Sequence, residues 1–177
     1  SLTDEPARSA TFAALETARS SGCVISYDPN YRAPLWTSEQ AAITGMRSVL
    51  EYVDIIKISD EETKLLAGTD NVGEASKALV DMGIKTVIIT MGQKGAHIRT
   101  RDGVVESPAK QVTAIDTTGA GDSFMGAFLW KLLESGKALN TLALEDVREF
   151  ADFSNRVAGF CVQKRGAINA MPYRNQL

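Results

Sequence analysis

Residues 112–132, VTAIDTTGAGDSFMGAFLWKL, decide how the chain is read. An apolar run, Val112 to Ile115, leads into Asp116-Thr117-Thr118-Gly119-Ala120-Gly121-Asp122. Phe124, Phe128, Leu129 and Leu132 then recur at helical spacing until Gly136. The order is strand, glycine-rich loop, helix. Glycines let a ligand approach the backbone with no Cβ in the way. The first N–H groups of a helix have no acceptor within it and point outward, at the positive end of the helix dipole. The loop therefore reads as an anion pocket, with phosphate as its occupant. No Gly-Lys-Ser/Thr follows, so it is not a Walker A loop. Asp122 adds a negative charge inside the pocket. That makes sense if its carboxylate takes a proton from an attacking hydroxyl, while the amides stabilise a transferring phosphoryl group. The plainer alternative is a turn shaped by Gly119 and Gly121, with Asp122 capping the helix.

The flanking sequence alternates helix and strand. A helix follows Pro6, with Ala10, Ala13, Ala14, Leu15 and Ala18 in register and Gly22 as its stop. Cys23 to Tyr27 reads as a buried strand that ends in the turn-forming Asp28-Pro29-Asn30-Tyr31-Arg32. A second helix opens at Ser38 and runs to about Tyr52, followed by a strand from Asp54 to Ile58. Short helices cover Glu61–Leu66 and Glu74–Met82, ended by Gly68 and Gly83. Thr86 to Thr90 is a β-branched strand, and Gly92-Gln93-Lys94-Gly95 turns the chain. Ala96–Arg101 and Val104–Glu106 flank Asp102-Gly103, a hairpin signal. Val112–Ile115 reads as a further strand, and a last helix spans about Leu144 to Val162.

Such alternation implies α/β architecture with a mostly parallel sheet covered by helices. Ligands of these sheets bind beyond the carboxyl ends of the strands. Three polar segments lie at such ends, Asp28–Arg32, Thr90–Gly95 and Asp116–Asp122, which points to one site built from three loops.

Composition narrows the function classes. The chain has 177 residues, 44% hydrophobic and 23% charged, with a net charge of −3. These values describe a globular domain and not a disordered chain. The mildly acidic balance argues against nucleic acid as a partner. No apolar run approaches the roughly 20 residues that span a bilayer, and SLTDEPARSA lacks a signal core. Cys23 and Cys161 read as buried free thiols, consistent with a cytoplasmic location. The single His97 reads as structural or solvent-facing, and no zinc pattern is present. Trp36 and Trp130 read as packing residues. Lys94, Lys164 and Arg165 either face phosphates or form a solvated basic surface.

DTTGAGDSFMGAF resembles the C-terminal signature of the ribokinase-like (PfkB) carbohydrate kinases. Further segments match in the family's order: SYDPNYRAPLW at 26–36, IKISDEETKLLAG at 56–68, ITMGQKG at 89–95 and QKRGAINAMP at 163–172. The resemblance implies a three-layer αβα, Rossmann-like fold. It also implies an ATP-dependent sugar kinase that is fructokinase-like, with a 2-keto-3-deoxygluconate kinase, a ribokinase or a nucleoside kinase as alternatives. A rival from another class is a nucleotide-binding regulatory module without catalysis. By position, Asp122 would be the base, and the amides of Gly119, Ala120 and Gly121 the anion hole. Thr90, Gly92, Gly95 and Ser59 would touch the nucleotide, and Asn155 would lie near adenine. Glu62 would act through water on the Mg²⁺ of ATP, and Asn30 and Arg32 would face the sugar or the transferred phosphate. A monovalent cation, K⁺ on general grounds, would take the Asp116 carboxylate and the carbonyls of Thr118, Cys161, Lys164, Gly166 and Ala170. Ser59 stands where many members carry Asn, and Asn169 where proline is common.

Family members are longer, and SLTDEPARSA matches the middle of their fold. Residues 1–177 are therefore expected to be the C-terminal part of a single kinase domain, without the lid or much of the sugar site. One sheet edge is expected to be unpaired, an aggregation hazard. Many relatives dimerise through the lid, so the sequence leaves the oligomeric state open, and a homodimer is an option for the full-length protein only.

Overall fold

Asp54 lies where the first three strands begin, and its bonds tie them together. Its Oδ2 accepts from Ile25 N at 2.9 Å, its carbonyl accepts from Lys85 N and Thr86 N, and its Oδ1 pairs with Lys85 Nζ at 2.7 Å. A computed structural model describes residues 1–176. The strands are β1 (Ser26–Tyr27), β2 (Ile55–Ser59), β3 (Thr86–Thr90), β4 (Ala96–Thr100) and β5 (Gly103–Ser107), in the sheet order β1-β2-β3-β4-β5. β1 pairs parallel to β2, with Ser26 opposite Ile55 and Tyr27 opposite Ile56. β4 and β5 are joined by the two-residue turn Arg101-Asp102, one residue earlier than the expected Asp102-Gly103, and so run antiparallel.

One compact unit comprises Ser1–Ile89 with Arg99–Arg101. Ile55, Ile56 and Ile58 of β2 and Val87, Ile88 and Ile89 of β3 are fully buried. Each such aliphatic side chain contributes about 1.5–3 kcal/mol. The helices are α1 (Ala7–Ser20), α2 (Glu39–Arg47), α3 (Thr63–Ala67) and α4 (Val72–Asp81). Ser38 Oγ caps α2 by accepting from Ala41 N, and Asn71 caps α4 by accepting from Glu74 N. Trp36 packs over Gly45, where a Cβ would lie 2.5 Å from the indole.

Three expectations change here. The second helix ends at Arg47 and is followed by a 3₁₀ turn at Leu50–Tyr52. The first strand is reduced to Ser26–Tyr27. Cys23 is exposed rather than buried, and Val24 is 52% exposed. Burial in this run begins only at Ile25, and α1 just before it buries none of its own residues.

The other unit comprises residues 90–98 and 102–176. It is built on α5 (Ala120–Ser135) and α6 (Leu144–Cys161), which pack on each other with Phe128 edge-on to Phe150 at 5.7 Å. Trp130 stacks on Phe153 at 5.2 Å, a packing role as expected. Gly136 ends α5 at φ 62°, a left-handed cap. Val112–Ile115 forms no strand. The amides of Ile115 and Asp116 donate instead to the Val162 carbonyl past the end of α6, so they are not available to a sheet partner.

Candidate active site

In the second unit, Gly119 stands before α5 at φ 82°, and Ala120, Gly121 and Asp122 form the first helical turn. Ala120 N donates to the Thr117 carbonyl at 3.2 Å, and Ser123 N to the Gly119 carbonyl at 2.8 Å. The amides of Gly121 and Asp122 belong to the turn whose N–H groups have no helical acceptor. Of the three amides expected to hold an anion, that of Ala120 is thus already turned to Thr117. Asp122 is exposed and lines an apolar hollow of about 280 Å³ with Trp130, Phe153, Met171 and Arg174.

Asp116 organises the loop. Its Oδ1 accepts from Thr118 N and its Oδ2 from Gly166 N, each at 2.9 Å. The hydrogen bond from Thr118, then those from the Gly166 and Thr118 amides, hold this carboxyl down at about 2. Asp116 is therefore ionised at neutral pH. Gly119 abuts the loop that follows α6, because a Cβ there would meet Ala167 Cβ at 2.8 Å. Cys161 is buried, with its Sγ donating to the Thr118 carbonyl at 3.9 Å. The Cys161 carbonyl accepts from Lys164 N, and the Ala167 carbonyl from Ala170 N. The ammonium of Lys164 lies over the Phe160 ring at 4.4 Å. The ionised Asp116 carboxylate thus joins the amides of Thr118 and Gly166, and the Thr118 carbonyl joins Cys161, so the loop before α5 is tied to the one after α6. Such hard oxygen donors suit a monovalent or alkaline-earth cation. Among the described residues no cluster of His, Cys, Asp and Glu could hold a metal.

A hollow of about 200 Å³ brings Gly92 and Gln93 together with Thr117, Ala120 and Asn155. Two of the three predicted loops therefore meet here. Asn155 is buried, and its Nδ2 donates to Ser107 O and Ser107 Oγ, both at 2.8 Å. Ser107 Oγ donates in turn to Asp152 Oδ1 at 2.5 Å. This chain fixes the face that Asn155 shows to the hollow. Thr90 ends β3, half-buried. Gly95 is buried at φ 99°, against the backbone of Ser107, Pro108 and Ala109. Its place is set by close approach, and its carbonyl accepts from Met91 N at 2.7 Å. His97 is buried, with Nδ1 at 2.5 Å from Glu106, which bears out the structural reading.

The third loop belongs to the first unit. Asn30 stands at φ 49°, and the guanidinium of Arg32 donates back to the Tyr31 carbonyl at 2.9 Å. Both line a polar hollow of about 440 Å³ with Lys57, Ser59 and Glu62. Glu62 is 7% exposed. Its Oε1 accepts from Tyr31 N at 2.6 Å, and its Oε2 from Ser59 N at 2.8 Å and Ser59 Oγ at 3.1 Å. Ser59 and Glu62 thus form a capping box. Burial, followed by the Glu62 and Asp28 carboxylates, pushes the Tyr27 phenol up.

The sequence reading missed Ser107, Asp152 and Lys57. Asp152 and Asn155 stand three apart on α6, a spacing that places them on one face and could have paired them. Lys57 was visible as the one charge inside the run Ile55–Ile58.

The description "pfkB family carbohydrate kinase" matches residues 1–174. Over 173 residues the chain is 42% identical to a protein of Arabidopsis thaliana named "Probable fructokinase-5", covering 97% of this chain and 53% of that one. It is 41% identical to fructokinase-2 of Oryza sativa subsp. japonica, covering 97% and 51%. Among solved structures, fructokinase from Vibrio cholerae O395, bound to fructose, ADP and calcium ion, superposes with a TM-score of 0.90 at 31% identity. That match covers 99% of this chain and 56% of the other. The chain spans about half the length of these curated relatives. Its fold is the ribokinase-like αβα arrangement with a mixed, mostly parallel five-stranded sheet, and the chain belongs to the pfkB family of carbohydrate kinases.

Proposed function

We propose that residues 1–177 are the C-terminal part of a single ribokinase-fold domain in a cytoplasmic sugar kinase, and that the complete protein converts fructose and ATP to fructose 6-phosphate and ADP. The observation that carries the reading is the loop from Asp116 to Asp122, where a carboxylate stands in the same helical turn as outward-facing amides. A sugar hydroxyl held there would lose its proton to Asp122 as its oxygen bonds to the γ-phosphorus. The bond from that phosphorus to the bridging oxygen of ADP would break. The amides of Gly119, Ala120 and Gly121 would take up charge on the transferring group, with Ala120 leaving its Thr117 partner to do so. Gly92, Gly95, Thr90 and Asn155 would hold the nucleotide, and the Asn155–Ser107–Asp152 chain would keep the amide in one orientation.

Two ions fit the donors present. The Asp116 carboxylate and the carbonyls of Thr118, Cys161, Lys164, Gly166 and Ala170 would hold K⁺. Glu62, already accepting three hydrogen bonds, would act on Mg²⁺ only through water, with Ser59 held beside it. Mg²⁺ bound to ATP would supply neutralisation of phosphate charge. Asn30 and Arg32 would contact the acceptor.

The fructokinase names of the curated relatives support fructose as acceptor. A riboside acceptor is the second reading, favoured by one likeness. Aminoimidazole riboside kinase from Salmonella enterica, complexed with aminoimidazole riboside and an ATP analogue, superposes with a TM-score of 0.86 at 31% identity. ADP release by the complete protein, with Mg-ATP and K⁺, tests both. Stimulation by fructose above ribosides and 2-keto-3-deoxygluconate is expected. ATP binding with no turnover on any acceptor would instead favour a non-catalytic nucleotide module. Asp122→Asn should lower turnover by about 10²–10⁴ while ATP still binds. Unchanged turnover would remove Asp122 as the base.

A further inference from the structure

Among the described residues Lys57 is the one buried lysine, 7% exposed on β2 between the fully buried Ile56 and Ile58. Lysines are almost never buried unless paired. Its Nζ donates to Asp28 Oδ2 at 3.0 Å, across 29 residues of sequence. Apolar replacement of such a pair is often neutral or stabilising, so stability alone does not account for it. What the pair does hold is the entry to the third loop. Asp28 begins Asp28-Pro29-Asn30-Tyr31-Arg32, in which the Pro29 ring fixes φ. Three residues further on, Tyr31 N is held by the buried Glu62. The segment is thus fixed on both sides of Asn30, the one non-glycine residue at positive φ among those described.

We propose that Lys57 is a positioning residue for this loop: by fixing Asp28 from within the sheet, it sets where Asn30 and Arg32 stand in the polar hollow. The proposal rests on the reading that Asn30 and Arg32 contact the phosphate acceptor. Lys57 acts through Asp28 and the loop.

The test is steady-state kinetics of the complete protein with Mg-ATP and fructose, for Lys57→Met, Lys57→Arg, Arg32→Ala and Asn30→Ala. Lys57→Met is expected to raise KM for fructose about tenfold and to leave KM for ATP within about twofold. Lys57→Arg should restore most of the loss, because it keeps a cation on Asp28. In the Arg32→Ala background, Lys57→Met should add less than about twofold. Should Lys57→Met not fold, the neutral pair Asp28→Asn with Lys57→Met keeps the question open to measurement. It should melt close to the parent and still show the raised KM. A fully multiplicative effect of Lys57→Met and Arg32→Ala, or a folded neutral pair with native KM, would overturn the positioning role alone. Native kinetics in both Arg32→Ala and Asn30→Ala would refute the acceptor-contact reading, and the positioning role with it.

Discussion

Gly95→Ala isolates a close backbone approach beside the Gly92–Lys94 turn. A Cβ at this position would run into the Ser107 carbonyl oxygen and lie 2.6 Å from Ala109 N and 2.8 Å from Pro108 Cα. These are backbone atoms, so no side chain can swing away. The residue also stands at φ 99° and ψ −137°, a region that costs a side-chain-bearing residue about 1–3 kcal/mol. Forcing extra volume into a packed site costs about 1–3 kcal/mol more. A combined loss of about 4 kcal/mol lowers the melting temperature of a chain this size by about 8–16 °C. Gly92→Ala is the matched control, at φ 55° with nothing within 4 Å of its Cβ. It carries only the left-handed penalty of about 1–2 kcal/mol, or roughly 2–8 °C. Thermal unfolding followed by circular dichroism compares the two. Equal losses in the two variants, or a smaller loss for Gly95→Ala, would refute the close-approach argument. Calorimetric titration with ATP below the melting range should also show weaker binding for Gly95→Ala, because the Ser107–Ala109 backbone must shift.

Two further outcomes follow from side-chain bonds. Asn155→Ala removes the donor to the Ser107 carbonyl and leaves the Ser107 hydroxyl with Asp152 alone, a loss of about 2 kcal/mol or 4–8 °C in melting temperature; an unchanged melting point would show that the pair holds nothing. Asp116 titrates at about 2 in the folded chain, below its ordinary value of 3.8. A lowered carboxyl stabilises fully above the unfolded value and loses that contribution as pH falls through the folded one. The Gly166 amide resonance should therefore hold steady down to about pH 4 and move with a midpoint near 2, and Asp116→Asn should abolish the movement. A midpoint at the ordinary value would refute the hydrogen-bond assignment.

Local pattern made most of the fold legible. Thr86–Thr90 was exact because a β-branched run buried on both faces leaves no other reading. Gly68 and Gly136 marked helix ends because both adopt positive φ. Val112–Ile115 misled because its apolar residues look like a strand, while its last amide is taken by a carbonyl 47 residues later, a partner no local window contains. Cys23 misled because an apolar stretch predicts burial only if something covers it. In the site, the glycine string announced the turn at Gly119. The bond from Asp116 to Gly166 and the anchoring of Asn155 by Ser107 cross 50 and 48 residues and became visible only in three dimensions. Glu62 stood out in the sequence as a candidate carboxylate, but its hold on Tyr31 was not legible there.

The contact between Gly119 and Ala167 carries a consequence for how such sequences change. The two positions share a space that holds one methyl group. A larger side chain at residue 167 built toward Gly119 meets the loop before α5, and any side chain added at 119 meets Ala167 in the loop after α6. Neither site is therefore free to drift alone. Across lineages the pair should be inherited as small with small, and a larger residue at either position should appear only beside a compensating shift in the other loop.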